Sequence, residues 1–330
     1  MLSSEGISEK LHTKWAGRSI LYKDITDSTN NDARQLAIEG AAHGSLVVAD
    51  KQEAGRGSNG RGWETPAGTN IAMSLVVRPK VGPERIPMLT LVMGLSVAEG
   101  IDLALKESGA ADGDEESMRN GSVESIAIDG DKEAMHHVSA ESDSMAGAGW
   151  TGSCCRIKWP NDVIINGRKV CGILTELHMA PKGGIEDAII GVGINVNMVD
   201  FPKEIEGVAG SLLSQTGYRV DRSLVVARVM ERFEENFEKF EKTSDLSLLK
   251  DSYEARLVNK GERVMLLDTK RAGVVSGEKE VEEMFLKSRD EQGEALGITD
   301  TGALTIRLDS GEIRDVNAGE VSVRGLYGYV

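Results

Sequence analysis

The chain has 330 residues, 40% of them hydrophobic but only 4% aromatic, and a formal net charge of −15. That length suits one large domain plus a smaller one, with a core resting on Val, Ile, Leu, Met and Ala. The acidity argues against a general nucleic-acid binder. No apolar run reaches the ~20 residues of a bilayer span, and residues 1–14 carry no signal-peptide core. Cys154, Cys155 and Cys171 are odd in number and two are neighbours, which disfavours a disulfide framework and a structural metal cluster. A cytoplasmic protein with no membrane partner and no resident metal is expected.

Residues 2–13 read as a linker, so 1–17 are set apart as a linker-like segment. Residues 28–39 suit a short helix, with Ser28 or Thr29 as cap and Ala33, Leu36 and Ala37 at helical spacing. A strand over 45–49 leads into a glycine-rich loop, and another over 69–77 ends at Arg78-Pro79. Residues 87–106 form a strongly apolar helix with Leu91, Leu95, Ala98 and Leu105 on its buried side. Residues 107–152 break this order. Gly, Ser, Asp and Glu dominate there, and 110–146 hold ten acids against Arg119 and Lys132. Such a composition cannot repay its ordering entropy, so an acidic, disordered insertion is expected.

Beyond the insertion, β runs at 156–159, 163–165 and 169–177, the last two flanking Asn166-Gly167, give a strong hairpin signal. Residues 188–196 supply a strand interrupted by Gly191 and Gly193. Residues 224–242 are an amphipathic helix with Val226, Val229, Met230, Phe233, Phe237 and Phe240 on one stripe. From 259 onward the runs at 264–267, 274–275, 295–298, 304–308 and 321–323 are short and glycine-punctuated, which points to a small barrel. The expected class is α+β, a mixed-sheet domain over 18–258 followed by a small all-β domain over 259–330.

The densest chemical signal is Gly55-Arg56-Gly57-Ser58-Asn59-Gly60-Arg61-Gly62-Trp63. It fits the dinucleotide glycine pattern, but no helix can follow and no acid stands about twenty residues on. A flexible loop able to close over an anion remains, with backbone amides and arginines as donors, or else an ordinary glycine-rich hairpin. Lys158-Trp159-Pro160-Asn161-Asp162, with Arg168-Lys169 across the hairpin, offers Asp162 to orient a metal or a lysine and Lys169 to stabilise a phosphate. The same residues also make good turn chemistry. Gly191-Val192-Gly193-Ile194-Asn195 would admit a flat ligand close to a strand, or mark a bulge.

Together with Asp27-Ser28-Thr29-Asn30, these motifs occur in the order seen in biotin–protein ligases: D-S-T-N, Q-x-x-G-R-G, K-W-P-N-D, G-I-L-x-E and G-x-G-I-N. From about Lys23 to Val330, apart from the insertion, the chain resembles that family. The resemblance implies a catalytic domain of the class II synthetase/biotin–lipoate ligase type with a C-terminal small SH3-like β-barrel. It implies a biotin pocket of Ser28, Thr29, Asn30, Gln52, Gly55, Arg56, Lys169, Leu174, Gly191 and Gly193. The ATP side would be Ser58, Asn59, Arg61, Trp63, Asn161, Asp162 and Asn195. Lys169, Arg56 and Asp162 would be catalytic, ATP and Mg²⁺ would be required, and the acceptor would be a lysine of a biotin carboxyl carrier protein. A homodimer is also compatible with it.

Two departures stand out. Family members often carry arginine where this chain has Ser58, in the loop that retains the activated adenylate. Repressor-type members begin with a DNA-binding winged helix, for which residues 2–13 would be only the trailing linker, so no DNA partner is expected. Lipoate–protein ligation on a related fold and a biotin-sensing protein of weak activity are the competing readings.

Overall fold

Seven consecutive residues of β3 (Ile71–Val77) are buried, the pattern of a strand covered on both faces. The computed structural model describes residues 2–57, 62–63, 65–110, 154–179, 185–268, 292–318 and 321–325. β3 is central to a seven-stranded sheet with β1 (Ile20–Thr26), β2 (Leu46–Gln52), β4 (Arg156–Lys158), β5 (Asp162–Ile165), β6 (Arg168–Met179) and β7 (Ile185–Ile194), in the order β1-β2-β3-β7-β6-β5-β4. β1 and β2 run parallel, joined through α2 (Thr29–Ile38), and every other pair is antiparallel. The sheet is therefore mixed, as expected.

Ala33 and Ala37 of α2 cover one face at Val47, Val76 and Ile189. The other face is covered by α3 (Met88–Leu105) and α5 (Arg222–Thr243), whose backbones approach so closely that a Cβ on Gly100 would stand 2.7 Å from Val229 Cα. By length and composition the helical stretch around α3 is apolar enough to cross a bilayer, contrary to the reading of its sequence. However, 78% of its apolar window is buried inside the fold. The expected linker-like segment is docked. α1 (Ser4–Ser8) and the buried Leu2, Ile7 and Leu11 join the main core. The Glu234 carboxylate accepts the backbone N–H groups of Lys14, Trp15 and Ala16.

Two short helices, α4 (Leu212–Thr216) and α6 (Lys250–Glu254), lead toward the C-terminal unit. That unit is an antiparallel sheet of β8 (Arg263–Asp268), β9 (Gln292–Ile298), β10 (Leu304–Leu308), β11 (Ile313–Val316) and β12 (Val321–Gly325), in the order β11-β10-β9-β8-β12. It matches the small SH3-like β domain expected. Buried Trp159 ties the two units, donating from its backbone N–H to Asn259 Oδ1 and from its indole to the Gly302 carbonyl. Residues 111–153 and the expected strand at 274–275 lie outside the described residues. Residues 107–110, assigned to the insertion, instead end the α3 helix, and the Glu107 carboxylate receives Arg228.

Candidate active site

The site is built on glycines in the middle of the sheet. Gly191 pairs with Ser74 on β3 and Leu174 on β6, and Gly193 pairs with Ala72 and Gly172. A side chain at Gly191 would occupy the Asn30 carboxamide, and one at Gly193 the Trp63 indole. A Cβ on Gly172 would lie 3.0 Å from the Trp63 ring. These glycines thus make room for Asn30 and Trp63 themselves. The cleft between them keeps a free volume of about 40 Å³, enough for a few waters.

One pole of the cleft is polar, with uncharged groups at Ser28, Thr29 and Gln52 and the Arg56–Glu176 pair beside them. Ser28 caps α2 by its extended backbone, while its hydroxyl makes no capping bond and faces the cleft. The amide N–H and hydroxyl of Thr29 approach Gln52 Oε1 at 2.8 and 3.0 Å. Ser74 donates to Asn30 Oδ1 (2.6 Å), and Asn30 Nδ2 donates to Glu176 Oε2 (2.8 Å). Arg56 bonds Asn31 Oδ1 at 2.7 Å and stands 3.7 Å from Glu176.

The other pole is charged. A register shift opposite Val163 and Ile164 leaves Val170 as an extra residue in β6, and such a bulge re-aims a side chain. Lys169 and Gly172, three positions apart, consequently share the cleft face, and Lys169 crosses Gly172 to put Nζ 2.6 Å from Asp162 Oδ1. Lys169 Nζ is also 5.5 Å from the Trp63 ring centroid. Its backbone is fixed by Val208 and Gly210. Behind this pair, burial pushes the Cys171 thiol well above the ordinary range, so it stays protonated and is no nucleophile. Burial, reinforced by the nearby Asp162 charge, raises Tyr253 in the same direction.

The cleft therefore gathers Ser28, Thr29, Asn30, Gln52, Arg56, Leu174, Gly191 and Gly193 with Trp63, Asn161 and Lys169. Asp162 adjoins it through Lys169. Gly55 lies at the stem of the loop, where its carbonyl accepts the Trp63 N–H. Asn195, expected on the ATP side, does not line the cleft. Its side chain is committed to Asn70 and the Gly210 carbonyl. Ser58, Asn59 and Arg61 lie outside the described residues. Sequence reading missed Ser74, a polar residue in an apolar strand, and Glu176, visible only as the end of a motif.

The profile of the Biotin/lipoate A/B protein ligase family matches residues 22–195, just over half of the chain, and that of the Biotin protein ligase C terminal domain matches 286–324. The chain belongs to the biotin–protein ligase family. Among its relatives, the bifunctional ligase/repressor BirA of Bacillus spizizenii is 31% identical over 98% of this chain and 79% of its own. The biotin–[acetyl-CoA-carboxylase] ligase of Paracoccus denitrificans is 31% identical over 59% and 63%. The biotin protein ligase of Aquifex aeolicus, solved in complex with biotin and ATP, superposes with a TM-score of 0.62 at 27% identity, over 93% of this chain and 99% of that one.

Away from the cleft, Asp102, Cys154 and Cys155 bring three potential metal ligands within 4.8 Å. Asp102 there already accepts the Cys154 and Cys155 N–H groups and Arg256. Burial holds the Cys155 thiol high and therefore neutral, which is poor ligand chemistry.

Proposed function

We infer that the chain is an ATP-dependent biotin–protein ligase, forming biotinoyl-AMP and transferring the acyl group to a lysine of a biotin carboxyl carrier protein. The observation that carries this reading is the polarity of a single cleft. A neutral hydrogen-bonding pole at Ser28, Thr29 and Gln52 suits a ureido ring, and a cationic pole at Lys169 suits a carboxylate meeting a phosphate.

In the first half-reaction a biotin carboxylate oxygen attacks the α-phosphorus of ATP, and pyrophosphate leaves. Both partners are anionic, so most of the catalysis must come from holding them together and neutralising charge. Lys169, steadied by Asp162, is placed for this, and Arg56 is within reach of the same cleft. Mg²⁺ would arrive on the ATP phosphates and neutralise charge there. Asp162 and Asn161 are the oxygen donors beside Lys169, and one carboxylate is sufficient protein ligation for this ion. In the second half-reaction a neutral lysine amine attacks the acyl carbon and AMP departs.

The reading includes a cytoplasmic setting, supported by three free thiols, with neither DNA nor membrane as partner. A homodimer finds its support in edge strand β1, which leaves Leu21 and Ile25 exposed. Biotin-dependent exchange of labelled pyrophosphate into ATP tests the first step. Exchange is expected with biotin and not with lipoate; the reverse preference would overturn the assignment.

A further inference from the structure

Ser74 is fully buried in β3 and does not line the cleft, yet it stands between two side chains that do. Four oxygens form a row, Gln52 Oε1, Thr29 Oγ1, Ser74 Oγ and Asn30 Oδ1, spaced 3.0, 2.8 and 2.6 Å. The two ends only accept. Gln52 must turn its oxygen inward because the Thr29 amide N–H points at it. Asn30 must turn its oxygen toward Ser74 because its Nδ2 meets the Glu176 carboxylate. The two hydroxyls between these ends hold one proton each. Three contacts are thus served by two protons, and one contact is a pair of facing lone pairs. Since Asn30 has no proton to offer, the 2.6 Å contact commits the Ser74 proton. The shortage falls on Thr29, which can donate to Ser74 or to Gln52 but not to both.

We propose that Ser74 is a positioning residue that decides ligand specificity, its proton held by Asn30 so that the Thr29–Gln52 pair lacks one donor and selects an acid whose ring supplies an N–H. The proposal rests on the reading of this cleft as a biotin site. A ureido N–H donated to Gln52 Oε1 joins the Thr29 N–H as the second donor to that carbonyl. The Thr29 hydroxyl is then free to donate to Ser74, and every oxygen of the row keeps a hydrogen-bond partner. A dithiolane ring or an alkyl chain brings no donor, so Gln52 Oε1 keeps only the Thr29 N–H whenever the Thr29 hydroxyl turns to Ser74. Discrimination against lipoate would then be set by a residue the ligand never touches.

Ser74→Ala removes the row's centre, so that Thr29 satisfies Gln52 without help from a ligand. Calorimetric affinities of the 330-residue chain for biotin and for octanoate, which lacks an N–H, read the effect. Biotin affinity is expected to fall about tenfold, the order of one buried hydrogen bond, while octanoate affinity holds, so the selectivity ratio falls by the same factor. An equal loss for both acids, as a packing role would give, or no loss for either, overturns the proposal. Ser74→Cys, with a weaker donor of similar size, should fall between, and decides the question alone if the alanine variant does not fold. Failure of the unmodified chain to bind biotin would instead overturn the underlying site reading.

Discussion

Lys169 reaches across Gly172 to bring its ammonium 2.6 Å from the Asp162 carboxylate on the neighbouring strand. The carboxylate fixes the position of the lysine ammonium at one end of the cleft. Lys169→Ala should lower single-turnover formation of biotinoyl-AMP by about 10²–10³, the scale of losing one donor aimed at developing charge. A rate near that of the unmodified chain would remove Lys169 from the chemistry.

Gly191→Ala should act on binding. The added methyl displaces the Asn30 carboxamide, which is the bridge between Ser74 and Glu176. A rise of about tenfold in the Kd for biotin is expected from leaving one such buried group unpaired. ATP affinity should stay unchanged, and calorimetry measures both. A loss confined to ATP would mean that Gly191 serves the other pole.

Ser58 replaces a residue that is often arginine in the loop resembling the family's adenylate-retaining segment. Ser58→Arg adds a charge-assisted donor, of the order of 1.5–3 kcal/mol for a phosphate contact. It should slow release of the adenylate roughly tenfold or more and reduce labelling of a bystander protein in the same tube. Identical release rates would show that the serine is no weak point.

His43 sets an acid limit on stability. Its Nδ1 accepts the Arg78 N–H at 2.9 Å, and its ring packs 4.2 Å from Trp15. Burial pushes its pKa down, so the folded state keeps it neutral. Its contribution is present above the unfolded value near ~6.5 and fades as pH falls toward the lower folded value, because the unfolded chain binds the proton first. Urea midpoints should therefore drop from pH 7.5 to 5, and the His43→Gln chain should show a shallower slope. Equal slopes would assign the acid sensitivity elsewhere.

Much of this architecture was legible in local pattern. α2, α3 and α5 follow the helical spacing of Ala33 and Ala37, of Leu91 and Leu95, and of Phe233 and Phe237. Asn166 and Gly167 take the left-handed conformations, φ 48° and 72°, that their turn requires. Strand β1 was missed because it is an edge strand carrying Lys23 and Asp24, with no alternation between buried and exposed residues. Most of the cleft was legible as ordered motifs, but its wiring was not. Ser74 and Asn30 are 44 positions apart, and Asn30 and Glu176 are 146 apart, so only the packing of α2 on the sheet makes them neighbours. Asn195 shows the converse, a motif residue whose side chain the fold uses to hold a loop.

The most direct measurement is the intact mass of a biotin carboxyl carrier domain after incubation with the 330-residue chain, biotin and Mg-ATP. The account predicts one biotin-sized increment, on a lysine, that disappears when ATP is withheld. An unchanged mass, under conditions where the chain demonstrably binds biotin, would contradict the ligase and leave a protein that senses the ligand.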